Sequence, residues 1–356
     1  MQIDTMSIEI SENIPLAPLT TLGVGGPARY FTEAASEEEL LDAIGFAREQ
    51  GLEIFILGGG SNLLVSDDGF DGLVIKMALR GVDVSPPSRG KVIVEAAAGE
   101  EWDPLVAMCV DRGLAGFECL SGIPGLVGAT PIQNVGAYGQ EVSQTIVEVR
   151  CIDRDSLEPV TLANSECGFA YRTSIFNTTR RGRYIVTGVT YQLTEGGAPY
   201  LDYRDLKKRF KGKTPSLVQV RRAVLEIRRA KSMVIDTADS NSRSAGSFFK
   251  NPIVSRERAD EIAEAIGETV PYFTMTDGSI KIPAAWLIEW AGFSKGYILG
   301  NAGISQNHSL AIINRGGATA DDIVALKDMI RHSVFSRFEI ELVPEPVFLG
   351  FEGAGK

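Results

Sequence analysis

The order of apolar and polar positions in the first third of the chain predicts helices and strands in alternation. Ser36 stands where a helix N-cap is expected, Glu39 follows at the third helical position, and Gly51 ends the pattern. Between them, apolar residues recur at the spacing of one helix face, at Leu40, Leu41, Ile44 and Ala47. The sequence therefore predicts an amphipathic helix that begins after Ser36 and ends at Gly51.

Short apolar runs bounded by turn residues predict strands on both sides of this helix. The predicted strands of the first half cover residues 53–57, 73–76, 92–97, 147–153 and 184–193. Asp103-Pro104 predicts a second helix, with Pro104 at its first position, which ends at Gly113. In the last third, the same signals predict helices after Ser255, at 284–291 and after Thr319, a strand at 309–314, and a strand pair at 340–343 and 347–349. The chain is thus predicted to mix helices and strands throughout.

A strongly basic segment interrupts this pattern. Residues 201–231 hold eleven basic and three acidic residues, a net charge of +8, so the rest of the chain carries −19. The residues that follow form an α+β pattern of about 110 residues, which is long enough for a separate domain. We therefore predict a domain boundary near the end of this basic segment.

Length, composition and charge restrict the class of protein. A chain of 356 residues with 44% hydrophobic and 23% charged residues has room for two or three folded domains. Its net charge of −11 argues against a general nucleic-acid or membrane-surface binder, and no apolar run reaches the ~18 residues of a membrane-spanning helix. Met1–Asp4 show neither the basic nor the apolar region of a secretory signal, so we expect a cytoplasmic protein.

The few cysteines and histidines exclude several kinds of chemistry. The four cysteines form no C-x-x-C pair and are expected to be small buried apolar residues. The only histidines are His308 and His332, too few for a histidine-based catalytic triad or a histidine-rich metal site. We predict no metal site.

Glycine-rich segments are the remaining candidates for ligand binding. Residues 23–28 fit a G-x-G-x-x-A dinucleotide fingerprint, but Pro27 and a strand-like run follow where that motif needs a helix. Residues 58–62 follow a strand but lead into another strand, and neither segment has the Gly-Lys-Ser/Thr of a P-loop. Backbone N–H groups in such a turn can bind an anion, although a simple tight turn explains three glycines equally well. Residues 123–139, with many small residues, two prolines and a Gln-Asn pair, favour a backbone shaped around a flat ligand.

Six motifs, each weak alone, occur together in one order along the chain. They are Leu19–Gly26, Gly58–Asn62, Ile123–Gly139, Phe169–Phe176, Gly246–Pro252 and Pro344–Pro346. In these motifs the chain resembles the UDP-N-acetylenolpyruvoylglucosamine reductase family, in its longer type with a tyrosine loop, from Asn13 to Gly350. The resemblance implies an α+β fold, with an FAD-binding part of the vanillyl-alcohol-oxidase (PCMH) type made of two subdomains, and a C-terminal α+β substrate-binding domain.

The resemblance also implies domain limits and a cofactor. Residues 1–76 would form the first FAD-binding subdomain, residues 77–228 with 340–356 the second, and residues 229–339 the substrate-binding domain. FAD would bind without a covalent link, and NADPH would be the co-substrate. The implied FAD contacts are Gly58, Gly59, Gly60, Ser61, Asn62, Ile123, Pro124, Gly125, Gly128, Ala129, Gln133, Asn134, Gly136 and Ala137.

The implied reaction uses NADPH and FAD to add a hydride to C3 and a proton to C2 of an enolpyruvyl ether, which gives UDP-N-acetylmuramate for peptidoglycan. Negative charge develops at the substrate carboxylate and calls for a cation or hydrogen-bond donors. Arg172 and Glu345 match the family's residues for this task, and Ser247 matches its proton donor. By residue type alone, Arg172 could form a structural ion pair, Glu345 could be a surface carboxylate, and Ser247 could be a loop hydroxyl.

Three more residues match substrate contacts of the family: Tyr203 in the tyrosine loop, Lys231 and Asn251. Most other basic residues of the segment are expected to form a solvated helix face. Ser232–Ser242 is longer than in well-known members. His308 stands where the family has Gln or His near the substrate, and a structural histidine is the favoured interpretation.

Two other functions fit part of the sequence. Another flavin enzyme of the same fold, such as an oxidase of a hydroxyl substrate, would have a His or Cys for covalent flavin attachment, and none occurs between Gly23 and Gly60. A nucleic-acid-binding module would use the basic segment and bind in a salt-dependent manner. The sequence favours the reductase, a monomer whose partners are a UDP-sugar enolpyruvate and NADPH, without nucleic acid or membrane insertion. It leaves the preference between NADPH and NADH open.

Overall fold

The computed structural model describes residues 8–275 and 277–351 of the chain. Met1–Asp4, on which the expectation of no secretory signal rests, lie outside these residues, as do the last five residues of the predicted segment 340–356. The chain divides into two compact units. Unit 1 comprises the described residues up to Ile14, Ala28–Gly60 and Asp71–Ala230, and unit 2 comprises Pro15–Pro27, Ser61–Phe70 and the described residues from Lys231 onward.

The predicted domain limits stay predictions, and the two units relate to them as follows. Unit 1 ends at Ala230, beside the predicted limit at 228. Residues 340–351 belong to unit 2, whereas the prediction joined them to the second FAD-binding subdomain. The reason is that Val347–Leu349 pairs in parallel with Leu63–Val65, which is itself part of unit 2. The division of the preceding residues into two FAD-binding subdomains stays a prediction.

Seven α-helices and twenty strands occur in the described residues. The helices are α1 (Glu37–Glu49), α2 (Trp102–Asp111), α3 (Arg204–Arg209), α4 (Leu217–Ala230), α5 (Arg256–Ile266), α6 (Ala284–Trp290) and α7 (Ala320–Phe338). The strands are β1 (Ser11–Pro15), β2 (Pro27–Ala34), β3 (Glu53–Leu57), β4 (Leu63–Val65), β5 (Phe70–Met77), β6 (Val82–Val84), β7 (Lys91–Ala97), β8 (Leu114–Ala115), β9 (Gly136–Ala137), β10 (Gln140–Glu141), β11 (Ile146–Asp153), β12 (Pro159–Ala163), β13 (Tyr184–Glu195), β14 (Ile253–Val254), β15 (Phe273–Thr274), β16 (Ile280–Lys281), β17 (Ile298–Leu299), β18 (Ala302–Ile304), β19 (Ile312–Asn314) and β20 (Val347–Leu349).

Unit 1 contains two main sheets and the first four helices. The first sheet has the order β1-β2-β5-β3, with β3 and β5 parallel, and α1 buries Leu40 and Ile44 in the same core as Leu73 of β5. The second sheet is antiparallel, in the order β12-β11-β13-β7-β6, with β8 beside β13. Trp102 and Val106 of α2 are buried in this core, while α3 and α4 share a smaller apolar cluster.

Unit 2 is organised around one apolar core. It combines α5, α6 and α7 with the short sheets β14-β16-β15 and β17-β18-β19 and with the pair β4-β20. Ile288 of α6, Ile304 of β18 and Ile323 of α7 are buried in this core. Leu22 and Val24 from the motif Leu19–Gly26 are buried there as well, so this motif is part of unit 2.

Local sequence signals give the helix starts correctly in three cases. The Ser36 hydroxyl accepts a hydrogen bond from the Glu39 amide at 3.1 Å, so α1 begins where the capping pattern predicts. Ser255 and Thr319 cap α5 and α7 in the same manner. These caps satisfy backbone N–H groups that the first helical turn leaves without partners.

Two local predictions are wrong. Helix α2 begins at Trp102, so Pro104 occupies its third position rather than its first. The Trp102 amide, which has no partner within the helix, donates to the Gly125 carbonyl, so the helix can begin two residues before the proline. Residues 340–343 form no strand, because the adjoining backbone pairs only through an isolated bridge between Phe249 and Pro344.

The cysteines are buried and free, as predicted. Burial raises the pKa of the Cys109 and Cys167 thiols to about 12.

None of the described helices is both long enough and apolar enough to cross a membrane. No group of three or more His, Cys, Asp or Glu side chains arranged for a metal ion occurs within residues 8–275 and 277–351.

Candidate active site

Two of the predicted FAD-binding segments lie against each other in unit 1. Strand β3 leads directly into Gly58–Gly60. A Cβ atom on Gly59 would lie 2.7 Å from the Cα of Gly125, and a Cβ on Gly58 would lie 3.8 Å from the Cβ of Ala129. Because a side chain needs more space than the first of these distances leaves, only glycine at position 59 allows the two backbones to meet this closely.

Backbone hydrogen bonds hold the first part of the long glycine-rich segment. The Trp102 amide donates to the Gly125 carbonyl at 3.0 Å, and the Gly128 amide donates to the Ala98 carbonyl at 2.9 Å. A Cβ on Gly128 would lie 2.6 Å from the Cβ of Ala98. Glycine at 128 therefore lets this segment pack on the residue that follows β7. Ile123, Pro124 and Gln133 are half-buried in the same segment.

Arg172 lies beside the second part of this segment. Its Nη2 donates to the Gly136 carbonyl at 2.7 Å, and its own carbonyl accepts from the Asn177 side chain at 3.1 Å. The Asn134 side-chain Nδ2 donates to the Ala170 carbonyl at 3.1 Å, which ties the Arg172 turn to the glycine-rich segment. The structure thus brings Arg172 to the predicted cofactor segment, and the side chain of Asn134 holds that turn in place.

Tyr203 contacts the far end of the same segment. Its ring lies edge-on to that of Tyr138, with centroids 5.2 Å apart, and burial raises the pKa of Tyr138 to about 12.

Arg228 of α4 donates to the Gly122 carbonyl at 3.1 Å rather than lying on the predicted solvated face. Its place one turn after the buried Val224 is the sequence signal that identifies this inward-facing position.

A second arginine of α4 forms an ion pair with α2. Arg221 donates to both carboxylate oxygens of Asp103, at 2.6 and 2.9 Å, and the Gly122 amide donates to Asp103 at 2.5 Å. Burial alone would raise the pKa of Asp103, but the bonds from Arg221 and Gly122 hold it below its ordinary value. The pair thus joins α2, α4 and the start of the glycine-rich segment.

In unit 2, Ser247 and Glu345 lie on neighbouring backbone segments. The Glu345 amide donates to the carbonyl of Phe248 at 2.9 Å. The Asn62 side chain donates to the Glu345 carbonyl at 3.2 Å, and the Asn62 carbonyl accepts from the Val347 amide at 2.9 Å. Three predicted site residues, one implied for the cofactor and two for catalysis, are therefore close together within this unit.

The other predicted residues of unit 2 are placed as follows. Asn251 accepts a hydrogen bond from the Ala284 amide at 2.9 Å and so holds the start of α6. Lys231 follows α4 directly and is half-buried, as is Ser61. The ligand contacts of these residues stay predictions.

His308 contacts the predicted proton donor, a feature that the sequence pattern leaves undecided. Its Nε2 lies 3.4 Å from the Ser247 Oγ. The hydroxyl follows Gly246, whose φ of 75° is in the left-handed region that favours glycine.

The predicted site residues are thus divided between the units. Unit 1 holds Gly58, Gly59, Gly60, Ile123, Pro124, Gly125, Gly128, Ala129, Gln133, Asn134, Gly136, Ala137, Arg172 and Tyr203, and unit 2 holds Ser61, Asn62, Lys231, Ser247, Asn251 and Glu345.

Comparison with known proteins identifies both parts of the chain. A family model described as "FAD binding domain" matches residues 28–157. A second, "UDP-N-acetylenolpyruvoylglucosamine reductase, C-terminal domain", matches residues 238–349. The crystal structure of UDP-N-acetylenolpyruvylglucosamine reductase from Thermus caldophilus is similar with a TM-score of 0.66 and 26% identity, over 97% of this chain and 100% of that one. These matches confirm the predicted α+β fold with an FAD-binding part.

Curated relatives match along almost the whole length. UDP-N-acetylenolpyruvoylglucosamine reductase of Thermobifida fusca is 48% identical over 97% of this chain and 99% of its own length. The protein of the same name from Streptomyces coelicolor is 44% identical over 94% of this chain and 89% of its own. With such identity along nearly its full length, the chain belongs to the UDP-N-acetylenolpyruvoylglucosamine reductase family of FAD-dependent oxidoreductases.

Proposed function

We propose that this protein reduces UDP-N-acetylglucosamine enolpyruvate to UDP-N-acetylmuramate, with NADPH as reductant and FAD as bound cofactor, in the synthesis of peptidoglycan precursors. Family membership over nearly the whole chain supports the reaction. The observation that carries the proposal is the hydrogen bond from the Glu345 amide to the Phe248 carbonyl, because it brings together two residues that the reaction requires, Ser247 and Glu345.

The glycine-rich segments of unit 1 fit an FAD molecule. The close approach of Gly59 to Gly125 brings the glycine run 58–60 against a second glycine, and backbone N–H groups of glycine turns are suited to bind pyrophosphate oxygens. We assign the cofactor to Gly58–Gly60 and to the segment from Ile123 to Ala137. Bound FAD would carry a hydride from NADPH to C3 of the enolpyruvyl group.

Arg172, Glu345 and Ser247 supply the chemistry at the substrate. The guanidinium of Arg172 stays charged at all relevant pH values and offers a planar set of donors to the substrate carboxylate, where negative charge develops. Glu345, whose backbone is fixed by two prolines, orients the same region. The Ser247 hydroxyl gives its proton to C2. A hydroxyl is a weak acid, but the carbanion-like centre at C2 is a strong base.

Substrate recognition is assigned to Tyr203, Lys231 and Asn251. The Lys231 ammonium complements the phosphates of a UDP-sugar. The Tyr203 ring, which lies edge-on to Tyr138, would cover the nucleotide. A monomeric state and a cytoplasmic location complete the proposal.

The Ser247→Ala variant tests the proposal. It should hold FAD, and NADPH should reduce that FAD at the wild-type rate. Reoxidation by the enolpyruvyl substrate should slow by roughly 10²–10⁴-fold, the usual cost of losing a general acid. Ser156→Ala, at an exposed turn of unit 1, is the matched control and should behave as wild type. A Ser247→Ala variant that turns over the substrate at the control rate would show that another group is the acid.

A further inference from the structure

We propose that His308 passes a proton to Ser247 at the moment when Ser247 protonates the substrate. This inference rests on the proposed function of Ser247. It gives His308 the role of a positioning residue that acts through the serine hydroxyl, and it replaces the interpretation of His308 as a merely structural histidine.

The two side chains are held close by the backbone on either side of them. The Ser247 Oγ and His308 Nε2 are 3.4 Å apart. Next to them, the Phe248 amide donates to the Leu310 carbonyl at 2.8 Å, and the Ala311 amide donates to the His308 carbonyl at 3.1 Å. A distance of 3.4 Å is at the long end for a hydrogen bond, and catalytic hydrogen bonds commonly tighten in the complex with substrate.

The segment Ser232–Ser242 supports the loop that carries His308. Asn307, the preceding residue, donates through its side chain to the Ser232 hydroxyl at 2.8 Å. The Gln306 amide donates to the Asn241 side-chain oxygen at 2.9 Å. Two contacts from one segment thus support the backbone just before the imidazole.

The proton movement balances in one concerted step. As the Oγ–H bond of Ser247 breaks and a C2–H bond forms, the Nε2–H bond of the His308 imidazolium breaks and a new Oγ–H bond forms. The serine therefore never becomes a full alkoxide, which removes the main disadvantage of a hydroxyl as an acid. The neutral imidazole regains a proton from solvent before the next turnover.

Of the side-chain types around Ser247, imidazole is the one whose ordinary pKa lies nearest neutral pH. The charged residues on the segments packed around its loop include Lys231, Asp236, Asp239, Arg243, Lys250, Glu289, Lys295 and Glu345. Carboxylates ordinarily titrate near pH 4 and lysines near pH 10, whereas imidazole titrates near pH 6.5. The imidazolium is the donor, so the rate of substrate protonation should fall as the pH rises through the pKa of His308.

The first test compares the reoxidation half-reaction in holoenzyme variants. At pH 6, His308→Gln, which keeps a hydrogen-bonding side chain but cannot titrate, should be reoxidised by the enolpyruvyl substrate roughly 10²-fold more slowly than wild type. The two rates should converge at high pH, where wild type loses its imidazolium. Reduction by NADPH should be unchanged. The control is His332→Gln on α7, an exposed position, which should match wild type throughout.

Other results overturn the inference. A His308→Gln rate close to wild type at pH 6, or one that is lower by a constant factor at every pH, would show that His308 supplies no proton. If Ser247→Ala is slow while His308→Gln is not, only this inference fails. If wild-type enzyme is not reoxidised by the substrate at all, the proposed function fails.

The second test needs no variant at position 308. The chain has two histidines, so imidazole NMR signals of the holoenzyme can be assigned with His332→Gln alone. The pKa of the His308 signal should equal the pKa of the wild-type reoxidation rate, and the dependence of that rate on the deuterium content of the solvent should be curved, as two moving protons require. Unequal pKa values or a linear dependence would contradict the proton transfer, even if His308→Gln cannot be purified with FAD.

Discussion

Replacing Gly59 with alanine tests whether the two glycine-rich segments of unit 1 together hold FAD. The φ of Gly59 lies outside the left-handed region, so space is the main obstacle to alanine there. The new Cβ would lie 2.7 Å from the Cα of Gly125 and 3.4 and 3.5 Å from its carbonyl carbon and nitrogen. Carbon atoms in contact prefer about 3.5–4.0 Å, so the segments must separate by about 1 Å. Gly125 resists this movement because its carbonyl accepts a hydrogen bond from Trp102.

The expected effect is a loss of FAD affinity. Forcing one methyl group into a tightly packed contact costs about 1–3 kcal/mol, and about 1.4 kcal/mol corresponds to a tenfold change in affinity. Because separated segments no longer fit the cofactor, we expect the Kd of FAD to rise roughly 10- to 100-fold for Gly59→Ala. The assay is a titration of deflavinated protein with FAD, followed by flavin fluorescence.

Gly45→Ala is the matched control for this prediction. Gly45 lies in α1, and a Cβ there would meet nothing within 4 Å. Alanine in a helix interior is favoured over glycine by about 0.5–1 kcal/mol, so this variant should unfold at a slightly higher temperature and bind FAD as wild type does. Equal FAD affinity of Gly59→Ala and Gly45→Ala would refute the assignment of this contact to the cofactor site.

Three further predictions concern other parts of the chain. Asp103→Asn should lower the free energy of unfolding by roughly 1–2 kcal/mol at pH 7 by weakening the contacts with Arg221 and Gly122. Because the folded-state pKa of Asp103 is depressed, the stabilisation is present above the ordinary carboxyl pKa of about 4 and is lost as the pH falls below it, so chemical denaturation of wild type and variant should converge in acid. Arg172→Ala and Glu345→Gln should each keep FAD reduction by NADPH but slow reoxidation by the substrate roughly 10²-fold in stopped-flow measurements; equal losses in both half-reactions would indicate a structural role instead. Since burial raises the pKa of all four thiols, iodoacetamide should modify the native protein far more slowly than the unfolded chain at pH 8, as mass spectrometry would show.

The helices with strong local signals could be predicted from the sequence. Ser36 and Thr319 cap their helices through contacts with residues three positions away, so these contacts lie within the stretch of sequence that a pattern covers. The strands β3 and β7 likewise follow from short apolar runs between turn residues. Such elements depend on neighbours in the chain, and their positions therefore agree closely with the structure.

Elements that depend on distant partners could not be predicted in this way. The pairing of Leu63–Val65 with Val347–Leu349 joins segments at opposite ends of the chain, and it places the C-terminal residues in unit 2. Residues 340–343 show strand-like alternation, but the structure assigns them to no strand, and the bonds to the Leu342 and Val343 carbonyls come from Arg331 and Lys250. An alternation of apolar and polar residues indicates which side chains are buried. It does not indicate which other segment pairs with the strand.

In the candidate site, too, local features could be predicted from the sequence and contacts between distant residues could not. The glycine-rich segments could be identified from composition, and the resemblance to a family supplied roles for Arg172, Ser247 and Glu345. The inward position of Arg228 was missed because a count of charges ignores the face of the helix on which each charge lies. The contact between Ser247 and His308 joins residues 61 positions apart, so no local pattern in the sequence indicates it.

The most direct test of the proposed function is a single turnover without oxygen. Holoenzyme reduced with one equivalent of NADPH is mixed with UDP-N-acetylglucosamine enolpyruvate, and the absorbance of oxidised flavin is followed while the product is identified by mass spectrometry. The proposed reaction predicts full return of the oxidised spectrum, with one UDP-N-acetylmuramate formed per flavin. Flavin that stays reduced in the presence of this substrate would contradict the account.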